Sequence, residues 1–400
     1  MRIEDIDLNG RLSDDELAFL ENEVSKLSRA EQATKVVLNG GYGAIGNTAF
    51  RHFDVDIAEA ITSTGRVAIK RIGKNINEFT NEHGGTSQDV DNCFSSDTDS
   101  NYTDITNIVH RLNLIDEDDI NKTVDNIVKF DDELMSPFID KSFDELAEYL
   151  NMVENTFDMK REIIGRNALI RAKKNYIIQA LDNEGVRYAK PFYKMMGVET
   201  QRTSTPMMVR EYLNKAFQII SSGTLQELRD LEQEFKEIFL NSPLEKIASP
   251  RGISDIDKYS NADYTAISGV TIPIHVRASI NYNVLVKELK LLNKYPYIKN
   301  SNKIKFIPLK KPNPIKSHVI GFIDELPKEF GLDDYIDREL QYEKVFINPI
   351  NSFMIFNMWK LEETGLDNLF DDFTEKYVHR AEKTNHKKVL KDIVEAEDLF

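Results

Sequence analysis

Cys93-Phe94-Ser95-Ser96-Asp97-Thr98-Asp99-Ser100-Asn101-Tyr102 is the stretch that decides the reading of this chain. Phe94 and Tyr102 flank a short acidic turn around Thr98, which predicts strand, turn, strand rather than helix. Two carboxylates spaced i, i+2 at a hairpin tip can point at one cation. Oxygen ligands of this kind suit Mg²⁺, which takes one or two carboxylates and leaves positions for substrate phosphates. That is the arrangement phosphoryl transfer needs. Taken alone, however, such a turn reads first as a solvated acidic loop, so its meaning depends on what surrounds it.

The chain has 400 residues, 41% hydrophobic and 30% charged, enough for one large core or two to three smaller ones. No apolar run reaches 18 residues and no basic, apolar leader opens the chain, so neither a membrane span nor a secretory signal is expected. The single cysteine, Cys93, fits a reducing cytoplasm. Net charge is −16, which taken whole argues against a nucleic-acid binder. The average hides two basic blocks. Lys160–Arg210 has eleven Lys/Arg against four Asp/Glu, and Val286–Lys316 nine against one. Local sign decides where a polyanion lies.

Upstream of the hairpin, Ser13-Asp14-Asp15-Glu16 is a capping box. It opens a helix that the spacing of Leu17, Leu20, Val24, Leu27, Ala30 and Thr34 carries to about Ile45. Its apolar stripe needs a partner. Lys35, Asn39 and Tyr42 fall on one face of it, and Gly40-Gly41 in mid-helix costs roughly 2 kcal/mol relative to Ala-Ala. Ala58–Phe79 reads as a second, amphipathic helix. Acidic helical patterns around Ile120–Phe130 and Phe143–Met152 read as solvated faces. Downstream, Lys173-Lys174-Asn175-Tyr176 enters a strand. Thr205 and Pro206 look like the N-cap and N1 of a helix reaching about Ile220, whose start, with Arg202 and Ser204, is a ready phosphate site. Leu225–Leu240 is again amphipathic, and Gly269–Tyr282 reads as strand. His275 within it is as readily a core histidine as a ligand.

In order along the chain, Lys35–Gly43, the Asp-Thr-Asp-Ser turn and Lys173–Tyr176 resemble the Kx₃NSxYG fingers helix, the DTDS palm hairpin and the KKRY strand of family B DNA polymerases. The flanking text is similar to the replicative polymerases of T-even-type bacteriophages, and the resemblance runs from about Ala33 to the C-terminus. Phe157–Glu162 resembles MDRE, and Lys194–Pro206 resembles KIMGxETQxSSTP. Ile274–Arg277 with Asn281–Asn283 resembles FHIRG…YN, and Phe306–Pro314 resembles VLPLREGNP. The chain departs from the pattern at Gly40-Gly41 (Ser-Leu in the family), Asn175 (Arg), Ala278 (Gly) and in the short Ile163–Arg171 segment.

The resemblance implies an α+β fold: a palm with antiparallel sheet and packed helices, preceded by half of a two-helix fingers and followed by a mixed α/β thumb. The expected divisions are 1–47 (fingers half), 48–197 (palm), 198–386 (thumb) and 387–400 (clamp-binding tail). The implied activity is DNA-directed DNA polymerisation by two Mg²⁺ ions. Asp99 would bind both ions, Asp97 would be a weaker ligand and Glu162 an accessory one. Lys35, Asn39 and Thr98 would hold the incoming nucleotide, and Tyr42 would abut the new base pair. Gly43, Lys173, Lys174, Tyr176, Arg202, Ser204, Thr205, Arg277, Tyr282, Asn283, Lys310 and Lys311 would lie on primer-template DNA. Leu399 and Phe400 would dock in a sliding clamp.

The family's DxxSLYP strand, which carries the other palm aspartate, does not occur in these 400 residues, nor do its first fingers helix and exonuclease domain. The expectation is a C-terminal subunit or fragment that shares its ions with an N-terminal partner chain, in the host cytoplasm if phage-encoded. The alternative from a different class is a non-catalytic primer-template-binding and clamp-tethering module.

Overall fold

The computed structural model describes residues 12–359, except 262, 263 and 268, together with Ile6 and Leu361. Two compact units divide at Ile164/Gly165.

In the first unit, Ser13 and Glu16 close the expected capping box, with the Ser13 amide donating to Glu16 Oε2 at 2.8 Å. The helix α1 (Asp14–Ile45) runs unbroken through Gly40-Gly41, and none of its residues is buried. Helix α2 (Val55–Gly84) starts on Asp54, whose carboxylate accepts from the Asp56 and Ile57 amides, and stops at Gly85 in the left-handed region. The hairpin β1 (Ser95–Asp97) and β2 (Ser100–Tyr102) follows, then α3 (Thr106–Arg111). Helix α4 (Ile120–Phe130) continues through a π-helical turn, Asp131–Met135, into α5 (Ser136–Tyr149).

Two apolar clusters hold this unit. Ile72 and Ile76 of α2 meet Ile139, Phe143 and Leu146 of α5. Phe79 meets Ile108 and Phe130. The acidic 104–158 region is therefore more than solvated faces. One side of α4 and α5 is solvated, while the other is the apolar floor under α2. The acidic composition masked this because the buried positions recur only every third or fourth residue.

The second unit opens with a three-stranded sheet in the order β3 (Ile163–Ala172), β4 (Asn175–Asn183), β5 (Val186–Met196). Lys173-Lys174 is the turn between β3 and β4, with Lys174 at φ 58°, rather than part of a strand. Helix α6 (Met207–Ser222) begins one residue later than the sequence suggests. Pro206 occupies the N-cap without a side-chain cap bond, and Thr205 is buried before it. Then come α7 (Leu225–Asn241), with a Thr224/Glu227 capping box, and α8 (Leu244–Ile247). Next are β6 (Ser249–Gly252), α9 (Ile256–Tyr259) and α10 (Ile274–Glu288). The strands β7 (Lys303–Pro308) and β8 (Val319–Phe322) complete an antiparallel sheet in the order β6-β7-β8. Helices α11 (Arg338–Tyr342) and α12 (Asn348–Met354) flank a second π-helical turn, Glu343–Ile347.

The expected strand over Gly269–Tyr282 is a helix from Ile274. Pro273 sits at its N-cap, and Val276, Ala278, Ser279, Ile280, Tyr282, Asn283, Leu285 and Val286 are all buried. A helix buried on nearly every side lacks the one-sided stripe that marks a surface helix, and its β-branched residues imitate a strand. Asn281 ties it to β8 by donating to the Val319 carbonyl at 2.8 Å.

One continuous core fills this unit, with Phe217, Phe235, Phe239, Phe322, Phe346 and Phe353 fully buried. The rings of Phe235 and Phe346 meet edge-on at 4.7 Å between centroids. Together the units make a mixed α+β chain. Phe235→Ala removes a ring at the centre of this aromatic group. It should lower the stability of the second unit by about 3–5 kcal/mol, read as a drop in the urea midpoint at an unchanged m-value.

Candidate catalytic hairpin and nucleic-acid interface

The hairpin is as tight as its sequence suggests. Ser95 pairs with Tyr102, Ser96 with Asn101 and Asp97 with Ser100, which leaves Thr98 and Asp99 as a two-residue turn. Thr98 adopts φ 51°, an uncommon conformation for a β-branched residue. Asp97 anchors the turn. Its carbonyl accepts from the Asp99 amide at 2.5 Å and the Ser100 hydroxyl at 3.2 Å, and its carboxylate accepts from Thr98 Oγ1 at 3.2 Å. Asp97 is half-buried and Asp99 exposed.

Sequence reasoning missed what holds the hairpin. Asn77 and Asn81, one turn apart on α2, grip the strand that leads into it. Asn77 Oδ1 accepts from the amides of Asn92 (2.7 Å) and Cys93 (3.2 Å). The Nδ2 groups of Asn77 and Asn81 both donate to the Val90 carbonyl, at 3.0 and 2.9 Å. Asn81 Oδ1 also accepts from Asn92 Nδ2 at 2.7 Å and from Thr86 Oγ1 at 2.5 Å. Asn81 is fully buried and Asn92 nearly so. Beyond the hairpin, the Asp104 amide donates to the Asn92 carbonyl at 2.8 Å. Gly73 completes the seat, since a Cβ there would stand 3.1 Å from Asn101 Oδ1. Burial pushes the Cys93 thiol up beside it, which favours the neutral thiol over the thiolate. Asparagines at i, i+4 on the core side of an amphipathic helix were the available signal.

Asp97 and Asp99 are hard oxygen donors and fit Mg²⁺ as a pair of carboxylates. Among the described residues no group of three or more His, Cys, Asp or Glu could hold a metal. The hairpin's own donor set is therefore two carboxylates, and further positions fall to water, substrate or another polypeptide. Glu162 is exposed just ahead of β3, and its neighbour Arg161 pairs with Asp131 at 3.4 Å.

On α1, Lys35, Asn39, Tyr42 and Gly43 lie on exposed surface. Lys35 is paired with Glu31 at 2.6 Å, and Tyr42 is 44% exposed. A Cβ at Gly40, Gly41 or Gly43 would meet nothing within 4 Å, so these glycines leave a bare strip of helix backbone.

In the second unit Lys173 and Lys174 are exposed at their turn. Gly197 fixes that turn from below. It sits at φ 66°, and a Cβ there would fall 1.9 Å from the Lys174 carbonyl oxygen. Tyr176 is buried, as are Tyr282 and Asn283. Asn283 spends its amide inside the fold, donating to the Ile298 carbonyl at 2.9 Å and accepting from the Ile298 amide at 2.8 Å. Burial pushes the Tyr282 phenol up to about 12. These three side chains brace the fold, a correction to the DNA contacts expected of them. Thr205 is likewise buried. Arg202, Lys310 and Lys311 are exposed, and Arg277 and Ser204 are half-exposed. Arg202 donates to the Gly197 carbonyl at 3.0 Å. Leu399 and Phe400 lie outside the described residues.

Two histidines mark the basic surface. Burial, and then Arg251, hold His275 below the ordinary imidazole range. Burial, followed by Arg277, Lys311 and Lys344, does the same to His318. The field that lowers them is the one a polyanion would meet.

Asn81→Ala strips the buried amide that holds the Val90 carbonyl, Asn92 and Thr86. It should lower the thermal stability of the first unit by about 1–3 kcal/mol, and amide exchange of residues 92–102 should speed up more than that of α5.

No family model matches the chain. Over 355 residues it is 31% identical to the DNA-directed DNA polymerase of Enterobacteria phage T4, which is 86% of this chain and 38% of that polymerase. Over 352 residues it is 32% identical to the DNA-directed DNA polymerase of Escherichia phage RB69, again 38% of its length. The chain thus spans well under half the length of these curated relatives. It is a relative of the T4 and RB69 phage DNA polymerases, over a stretch that fits their C-terminal part.

Proposed function

We propose that this chain is the palm-and-thumb part of a family B DNA-directed DNA polymerase, with α1 as one half of its fingers, and that it joins nucleotides together with a partner chain. The observation that carries the reading is the Asp97-Thr98-Asp99 turn, seated on α2 by the half-buried Asn77 and the buried Asn81. Catalysis by positioned charge requires carboxylates held in place before substrate arrives, and this turn is held at both ends.

Asp99 is the principal metal-binding carboxylate, Asp97 the second, and Glu162 an accessory one. Mg²⁺ held by these carboxylates would supply charge neutralisation on the phosphoryl oxygens and would acidify a primer hydroxyl. Thr98 shapes the turn under the nucleotide. Lys35 and Asn39 present charge and an amide to a triphosphate, and Tyr42 offers a flat ring beside the new base pair. Lys173 and Lys174 hold the primer-template backbone without reading sequence, helped by Arg202, Ser204, Arg277, Lys310 and Lys311. The partner brings the other palm aspartate, the exonuclease domain and a helix that covers the exposed Val24 and Leu27 of α1. The 387–400 tail binds a sliding clamp. The reactants are deoxynucleoside triphosphates and primer-template DNA, in the cytoplasm of an infected cell.

The test is primer extension with Mg²⁺ and four nucleotides, by this chain alone and mixed with a fragment carrying the missing palm strand. Extension only in the mixture supports the reading. Duplex binding without extension in either case favours the tethering module instead. In the mixture, Asp99→Asn should cut extension roughly 10²–10³-fold while leaving duplex affinity within about twofold, and retained extension would remove Asp99 from this role. Replacing both Lys173 and Lys174 by Ala should weaken duplex binding. It should also flatten the slope of log K against log salt by about 2, at about 0.9 per lost phosphate contact.

A further inference from the structure

Apart from the catalytic hairpin, the second unit contains a cavity of about 330 Å³ at which four elements converge. Arg202 reaches it from the loop ahead of α6, Arg251 from β6, His275 from the first turn of α10, and Lys344 from the π-helical turn after α11. The hydroxyls of Ser204 and Ser249 add donors. Glu199 is the carboxylate on the wall, and it is paired with Arg202 at 3.6 Å. Three permanent cations thus face one carboxylate. Among the described residues neither Arg251 nor Lys344 has an ion-pair partner. Concentrated positive charge with hydroxyl donors and no matching anion is a seat for a phosphate group.

We propose that this cavity seats one backbone phosphate of a bound nucleic acid strand, and that His275 takes up a proton as the phosphate enters, so that binding tightens as pH falls. The inference rests on the nucleic-acid reading above and adds a specific seat and a proton-linked residue to it. Without an anion, burial and then Arg251 on β6 oppose a charge on the His275 ring, and Arg202, Glu199 and Lys344 line the same cavity from the loop and the π-helical turn. A phosphate reverses the local sign, and the imidazolium becomes a fourth cationic donor. By linkage, whatever factor the phosphate adds to proton affinity the proton adds to phosphate affinity. A phosphate arriving as part of a nucleotide shares this chemistry, so the test separates the two sources.

The full chain is titrated with a fluorescein-labelled primer–template duplex at pH 6, 7 and 8 and constant ionic strength. The dissociation constant should fall about three- to sixfold from pH 8 to pH 6, the change expected when one imidazole is raised by about a pH unit. His275→Gln should remove most of that dependence, while His318→Gln should retain it. An unchanged pH slope in His275→Gln overturns the proposal, as does a flat slope in the unsubstituted chain. A variant that fails to fold is bypassed by following the His275 imidazole resonances directly. Its titration midpoint should rise on adding duplex, and an unmoved midpoint overturns the proposal. A rise with deoxyadenosine triphosphate but not with duplex overturns the backbone assignment. If duplex is bound at no pH, the polymerase reading itself fails. The cavity is then judged with inorganic phosphate, whose failure to move His275 overturns the seat as well.

Discussion

Two side-chain amides on α2 are the constraint on which the candidate catalytic turn depends. A two-residue hairpin with three residues per strand has little stability of its own, and the acidic tip repels itself. Asn77 and Asn81 convert it into an extension of the helix by bonding the backbone at Val90, Asn92 and Cys93. Each bond contributes about 1 kcal/mol net, but a buried amide that lost its partners would cost more, so the arrangement is all or none. The helix in turn is held by Ile72, Ile76 and Phe79 against α5, Ile108 and Phe130. Position is thus handed from an apolar core to a polar network and then to two carboxylates.

The second unit solves a similar problem in the same way. The Lys173-Lys174 turn is exposed, yet its backbone is braced by Gly197, where any side chain would collide with the Lys174 carbonyl. At Gly73 of α2 a Cβ would stand 3.1 Å from Asn101 Oδ1, so the glycine gives the hairpin room. In both units a candidate turn is seated beside a glycine, which a Cβ would exclude outright at Gly197 and crowd at Gly73. The same economy explains the charge distribution. The acidic surface is concentrated in the first unit and the basic blocks in the second, so a net charge of −16 coexists with a strongly cationic cavity.

The sequence made legible those elements whose ends carry their own chemistry. Ser13 and Glu16 announce α1, and the Asp-Thr-Asp turn between two aromatics suits a hairpin better than a helix. Where tertiary packing decides, local reading failed. Helix α10 is buried nearly all round and so carries no amphipathic stripe. Tyr176, Tyr282 and Asn283 have side chains suited equally to a phosphate or to a buried carbonyl, and only the Ile298 backbone distinguishes the uses for Asn283. Asn77 and Asn81 were passed over because polar residues on a helix read as surface unless the neighbouring strand is known. Arg251 and Lys344 are nearly a hundred residues apart, and nothing local joins them to His275.

Helix α1 poses the sharpest question about how this chain is held together. It has 32 residues, none buried, with Val24, Leu27, Val36, Val37 and Leu38 each more than 60% exposed. Most helices in proteins are stabilised by packing of an apolar face rather than by propensity, and α1 carries Gly40-Gly41 against it, at roughly 2 kcal/mol. Its capping box and the Lys35–Glu31 pair offset only a part of that, about 1 kcal/mol for the cap and a few tenths for the pair. A helix in this balance is stable to the extent that something covers Val24 and Leu27. A covering helix would at the same time fix the angle at which Lys35, Asn39 and Tyr42 are presented. On this argument the glycine pair is tolerable to the extent that an apolar surface covers α1, and in the proposed reading one helix would serve both assembly and nucleotide binding.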